Sequence, residues 1–118
     1  MHAKRILIVD DNKELRALIR MTLELSDYDL FEAQDGDDAM KMIPVVKPDV
    51  IILDIMMPGQ FDGLELCRKI KSNIANSATK VILLSAMSQK ADIDQGYQAG
   101  ADVYITKPFS PLDLLSHV

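Results

Sequence analysis

Several features that would assign this chain to a class are scarce or missing. It has a single cysteine, Cys67, so no internal disulfide can form, and a reducing compartment suits it. Basic charge is in deficit: 13 Lys and Arg against 18 Asp and Glu leave a formal net charge of −5. Such a surface repels phosphate backbones, which argues against direct nucleic-acid binding. No apolar run approaches the roughly 20 residues that a membrane helix needs. There is no signal-peptide pattern either, because Lys4 and Arg5 lead into a short apolar run of only Ile6 to Val9. The expected setting is therefore the cytoplasm, with no membrane partner. Repeats, low-complexity tracts and linkers are also missing. What remains is 118 residues, 48% hydrophobic and 26% charged, which suits one globular domain with one core.

The stretch Asp49–Asp54, DVIILD, organises the rest. Val50, Ile51, Ile52 and Leu53 are apolar without a period of two, so neither face of this strand is meant for water. A central strand of a parallel sheet has that character. The run stops on a carboxylate, Asp54, where open α/β sheets place their ligands. Ile6–Val9 and Val81–Leu84 are two further unbroken runs, ending on Asp10-Asp11 and on Ser85. Asp29–Gln34 is a weaker strand, expected beside an edge, and Val103–Ile105 is a short last one leading to Lys107.

Helices are expected between the strands. Asn12 caps the first, with Leu15, Leu18, Ile19 and Thr22 on the inner side, widened by Leu23 and Leu25. Asp35-Gly36-Asp37 starts the second, with Ala39, Met40, Met42 and Ile43 inward; Pro44 ends or kinks it. Met21 also reads as helix-face packing. Leu64, Cys67, Ile70 and Ile74 share one face of the third, which makes Cys67 a buried, inert thiol. The fourth, Gln89–Ala99, turns Ile93 and Tyr97 inward and stops at Gly100 in a left-handed cap. Ser110 and Pro111 open the last as cap and first residue. His2 and His117, near the ends, have no ligand partners in the sequence, and Asp37-Asp38 reads as helix-start charge.

The order βαβαβαβαβα with continuous apolar strands predicts an α/β fold: a doubly wound, five-stranded parallel sheet with helices on both faces. In the flavodoxin-like order 2-1-3-4-5, the first and third strands are neighbours. Asp10, Asp11 and Asp54 then converge at one edge, with Ser85 and Lys107 beside them. Carboxylates so close repel one another, and one lysine does not offset them. A hard divalent cation does, and Mg²⁺ commonly takes one or two carboxylates plus a phosphate oxygen. A cation, an ammonium and a hydroxyl around Asp54 describe a phosphoryl site, with Asp54 as nucleophile.

These residues carry a resemblance. The sequence resembles the receiver domains of two-component response regulators in VDDN at Val9–Asn12, ILDIMMPG at Ile52–Gly59, DG at Asp62-Gly63, LLSA at Leu83–Ala86, GAD at Gly100–Asp102 and TKPF at Thr106–Phe109. It covers essentially the whole chain, 1–118, read as a single receiver domain. The resemblance implies a phosphorylation-dependent signalling switch, with Asp54 accepting a phosphoryl group from a sensor histidine kinase or histidine phosphotransfer protein. It implies Asp10, Asp11, Asp54 and the Met56 carbonyl around Mg²⁺, and Ser85 and Lys107 on the phosphoryl oxygens. It also implies a cis Lys107-Pro108 peptide, and Ser85 with Tyr104 as the switch pair. The face after Gln89 would carry output to an effector domain or protein, with homodimer formation on phosphorylation as an option. Such a domain is no enzyme in the usual sense, since it catalyses only its own phosphorylation and dephosphorylation. In this family, the positions held here by Met56 and Met87 border the path of the hydrolytic water.

Two departures stand out. Gly59, Gln60 and Phe61 make the loop before Asp62 one residue longer than the family's shortest. The last helix is shorter than usual, so the chain reads as a domain cut from a longer protein, with any effector beyond Val118. Other functions fit less well. A haloacid-dehalogenase-like aspartyl phosphatase needs an acid two residues after its nucleophile, where Met56 has no proton to give. A flavin carrier needs a Ser/Thr/Gly-rich phosphate loop, but Asp10-Asp11-Asn12 would repel the phosphate. A receiver-like module that works without phosphorylation has no need of the intact set Asp10, Asp11, Asp54, Ser85 and Lys107.

Overall fold

The computed structural model describes residues 3–56 and 62–118. Parallel strands and helices alternate as β1 (Lys4–Val9), α1 (Lys13–Leu23), β2 (Tyr28–Ala33), α2 (Gly36–Val46), β3 (Val50–Asp54), α3 (Gly63–Ser72), β4 (Lys80–Ser85), α4 (Lys90–Gln98), β5 (Val103–Thr106) and α5 (Pro111–His117), with a 3-10 turn at Ile74–Asn76. The sheet order is β2-β1-β3-β4-β5, the flavodoxin-like order expected.

The unbroken apolar runs serve two cores at once. Leu7, Val9, Ile51, Leu53, Val81 and Leu83 face one layer, with Ala39 and Ile43 of α2 and Leu66, Cys67 and Ile70 of α3. Ile6, Ile8, Val50, Ile52, Ile82 and Leu84 face the other, with Ile19 and Leu23 of α1 and Leu114 of α5. Alternate side chains of a strand point to opposite faces, so a strand covered on both sides has no polar positions to spare.

The helix ends follow their cap residues. Asn12 Oδ1 accepts from the Glu14 and Leu15 N–H groups, and Asp35 and Asp62 each accept from a first-turn amide. Ser110 caps α5 with Pro111 in its first turn, and Gly100 follows α4 at φ 103°, a left-handed conformation that favours glycine. Between the two outcomes open at Pro44, the helix continues: α2 runs to Val46 and closes on Lys47 at φ 53°.

Several expectations need correction. β2 is itself an edge strand, not the neighbour of one. Leu18, Met21, Leu25, Met40, Ile74 and Tyr97, expected to pack inward, are exposed. Leu25 and Ile74 lie past the ends of their helices, where the chain has left the helical path. Tyr97 is turned out because the inner position of α4 belongs to Gly96. Leu66, which the spacing did not single out, is fully buried on α3. Cys67 is buried, and burial pushes its thiol up to about 11, the state of an unreactive sulfhydryl. His117 does have a neighbour, Asp113 at 3.6 Å. His2 and the loop at Gly59, Gln60 and Phe61 lie outside the described residues.

Candidate functional site

Strand register assembles the site. Val9 pairs with Leu53, so Asp10 and Asp54 leave adjacent strands side by side. Asp54 pairs with Leu84, which places Ser85 one residue beyond it on β4. Ser85 pairs with Thr106, and the Lys107 N–H donates to the Ser85 carbonyl at 2.7 Å. The Lys107-Pro108 peptide that follows is cis.

At this edge the carboxylate oxygens of Asp10, Asp11 and Asp54 lie within 4.8 Å of one another. Asp10 and Asp54 are buried and Asp11 is exposed, so the group opens to solvent on one side. Lys107 Nζ sits 3.4 Å from Asp54 Oδ1 and 3.9 Å from Asp10 Oδ2. One ammonium thus faces two buried carboxylates. Burial pushes the Asp10 carboxyl up to about 6; the Asn12 N–H on Oδ1 and the Lys107 charge work against that rise, and Asp54 and Asp11 add to it.

The donor set fits a divalent cation. Asp10 Oδ2 is buried and has no hydrogen-bond partner, and an orphaned carboxylate oxygen facing two more carboxylates is the arrangement a hard cation relieves.

Backbone packing holds Asp54 in place. The Met56 N–H donates to Asp54 Oδ1 at 3.2 Å, and the Ile55 N–H donates to the Leu84 carbonyl. Gly63 packs directly behind, where a Cβ would collide with the Asp54 carbonyl oxygen and the Ile55 Cα. Only glycine lets α3 start this close to the end of β3. Met56 itself is exposed.

Ser85 and Tyr104 are connected through Met87. The fully buried Ser85 accepts the Met87 N–H at 3.0 Å on its Oγ. The Tyr104 hydroxyl donates to the Met87 carbonyl at 2.8 Å. The Tyr104 ring lies against Gly96 and packs with Met87 on the core of the α2–α3 side. Tyr104 is therefore turned inward here.

The candidate residues Asp10, Asp11, Asp54, Met56, Ser85 and Lys107 come from strand ends or from the residues that follow them, and Tyr104 lies within β5. Spacing did not reveal Arg16, whose guanidinium Nη1 donates to the Asp10 carbonyl at 2.6 Å. Its only sequence signal was a position one helical turn past the Asn12 cap. A cavity of about 460 Å³ lies at the opposite edge of the sheet, lined by Met40, Ile43, Pro44, Pro48 and Thr79 among others, away from these carboxylates.

Comparison with known proteins agrees with this fold. The family model of the response regulator receiver domain matches residues 6–118. The chain belongs to that family. This receiver domain is 44% identical over 114 residues to the transcriptional regulatory protein ResD of Bacillus subtilis, covering 97% of the chain and 46% of ResD. It thus spans about half the length of that curated relative. Among solved structures, the Vibrio cholerae chemotaxis protein CheY4 superposes with a TM-score of 0.89 at 28% identity, over 98% of this receiver domain and 95% of that chain. DrrB, an OmpR/PhoB homologue of Thermotoga maritima, superposes with a TM-score of 0.87 at 33% identity, over 98% of this domain and 50% of DrrB. Among the described residues, no helix is long and apolar enough to cross a membrane.

Proposed function

We propose that this receiver domain is a phosphorylation switch in which Asp54 takes a phosphoryl group from a phosphohistidine of a sensor kinase or phosphotransfer protein. The observation that carries the reading is Asp54 itself. It is a buried carboxylate 3.4 Å from an ammonium, beside two further carboxylates, at the end of a central strand. An Asp54 carboxylate oxygen forms a bond to phosphorus as the phosphorus–nitrogen bond to histidine breaks, and the imidazole leaves with that electron pair. Little else is asked of the protein, because this chemistry depends mostly on positioning and charge stabilisation.

Lys107 holds one phosphoryl oxygen with its ammonium, and the Ser85 hydroxyl donates to another. Asp10, Asp11, Asp54 and the Met56 carbonyl would hold Mg²⁺, which when bound supplies neutralising charge to the carboxylates and the phosphoryl oxygens. Water attack on the acyl phosphate later returns the carboxylate and inorganic phosphate.

The route to output starts at Ser85. Its Oγ accepts the Met87 N–H and keeps its own proton free to donate, so a hydroxyl that shifts toward a phosphoryl oxygen pulls on the turn that holds Met87. That turn also holds Tyr104 through the Met87 carbonyl, so the packing of α4, β5 and α5 responds. Phosphorylation then biases two packings of that face, which a downstream effector domain or protein reads. The phosphatase reading needs an acid at Met56, and a thioether cannot serve.

The test is incubation with Mg²⁺ and acetyl phosphate, followed by intact-protein mass spectrometry. One acid-labile phosphoryl group is expected in wild type and none in Asp54→Ala. Undiminished incorporation into Asp54→Ala would overturn the assignment.

A further inference from the structure

Arg16, on α1, reaches back to the main chain of Asp10 at the acidic site. Its Nη1 donates to the Asp10 carbonyl at 2.6 Å and its Nε to Glu32 Oε1 at 3.1 Å. Its side chain is only 14% exposed. Glu32 Oε2 also receives Arg20 Nη1 at 3.3 Å, and Arg20 Nε donates to Glu24 Oε1 at 3.1 Å. A chain of charge-assisted hydrogen bonds therefore runs from the edge strand β2 and the end of α1 to the main chain of Asp10.

Asp10 needs such support. Its N–H is tied to the Ala33 carbonyl at 3.2 Å and one carboxylate oxygen to the Asn12 N–H at 2.9 Å. Its other carboxylate oxygen is buried without a hydrogen-bond partner. The backbone leaves the sheet at this residue, so its carbonyl has no strand to pair with. The planar guanidinium can satisfy that carbonyl and Glu32 together, which an ammonium on a flexible stem cannot match.

We infer that Arg16 is a positioning residue for the metal-binding carboxylates, acting through the Asp10 carbonyl. The inference rests on the proposed function, since it presumes that Asp10 and Asp11 hold a divalent cation. With the peptide plane after Asp10 fixed, the carboxylates of Asp10 and Asp11 start close to the geometry a small octahedral cation demands, and binding has less ordering to do. Groups that orient metal ligands from behind typically carry about 10- to 100-fold in metal affinity.

The test is a titration of the apo protein with Mg²⁺ alone, followed by the amide NMR shifts of Asp11 and Asn12 and by calorimetry, on wild type, Arg16→Ala and Arg20→Ala. Arg20→Ala disturbs the same network while leaving the Asp10 contact in place. Both variants should lower the unfolding midpoint, but only Arg16→Ala should weaken Mg²⁺ binding, by about tenfold. Arg16→Lys keeps the charge without the fork and should weaken binding by an intermediate factor; it also stands in if the alanine variant fails to fold. Wild-type Mg²⁺ affinity in Arg16→Ala or, if that variant does not fold, in Arg16→Lys would overturn the inference, as would equal loss in Arg16→Ala and Arg20→Ala. Wild type that does not bind Mg²⁺ at all would instead sink the metal site itself, before any variant is compared.

Discussion

The Tyr104 hydroxyl donates to the Met87 carbonyl at 2.8 Å, which ties the last strand to the turn that follows Ser85. Gly96 makes room for that inward ring: a Cβ there would lie 2.5 Å from Tyr104 Cδ2. Gly96→Ala should therefore push Tyr104 outward or strain α4, at a cost of roughly 1–3 kcal/mol. Tyr104→Phe should cost only about 1 kcal/mol, the net value of one hydrogen bond. Chemical denaturation of both variants checks the ranking, and equal losses would contradict it.

The pH dependence of the metal-free fold should carry the signature of Asp10. Its carboxyl is raised from 3.8 to about 6, first by burial. Below about pH 4 the folded and unfolded chains both hold this proton and nothing is lost. Between pH 4 and 6 the unfolded chain releases it first, so stability falls as pH rises, by on the order of 3 kcal/mol once past the folded value. Asp102 acts in the opposite sense. Burial raises its carboxyl, but the hydrogen bonds from Lys71 and the Val81 amide outweigh that and lower it, so its contribution is lost on acidification. Asp10→Asn keeps the Asp102 contribution and should remove the loss between pH 4 and 6. Parallel stability curves for wild type and Asp10→Asn in metal-free buffer would refute this.

Asp102 also pins α3 to β4 away from the site. Its Oδ2 accepts from Lys71 Nζ at 2.9 Å and from the Val81 amide at 2.8 Å. Asp102→Ala should destabilise by about 1–3 kcal/mol, because the Val81 amide and Lys71 both lose an acceptor. Phosphoryl incorporation on Asp54 should persist under folding conditions. Thermal melts and mass spectrometry separate the two effects.

The phosphoryl group should be lost slowly for a receiver domain. The positions expected to flank the water path are Met56 and Met87, and a thioether cannot orient or deprotonate water. Met56 is exposed beside Asp54, whereas Met87 packs against the core. Met56→Asn should therefore account for most of an acceleration of about tenfold in the double variant with Met87→Glu, roughly the low end of what a positioned polar group supplies. Decay after donor removal, at constant Mg²⁺, measures it; equal rates in wild type and double variant would show that neither position gates the water.

The strands and the edge where their polar ends meet were legible in the sequence because both rest on short-range rules, whereas the strand order and the site roles came with the family resemblance. A strand buried on both faces must be apolar throughout, and Ile6–Val9, Val50–Leu53 and Val81–Leu84 could be little else. The polar residue ending each run marks the strand end, and a parallel sheet brings all such ends to one edge, which is how Asp10, Asp54, Ser85 and Lys107 meet. The caps Asn12, Asp62 and Ser110 and the left-handed Gly100 are equally local. Tertiary structure alone decided which apolar residues find a partner. Ile74 and Leu25 have the right composition and spacing, but the chain bends away before the sheet can cover them. Burial is set by the other side of the contact, and no pattern within one segment contains it. Arg16 on the Asp10 carbonyl has the same origin: an arginine on a helix looks solvated until the fold brings β2 and Glu32 alongside it.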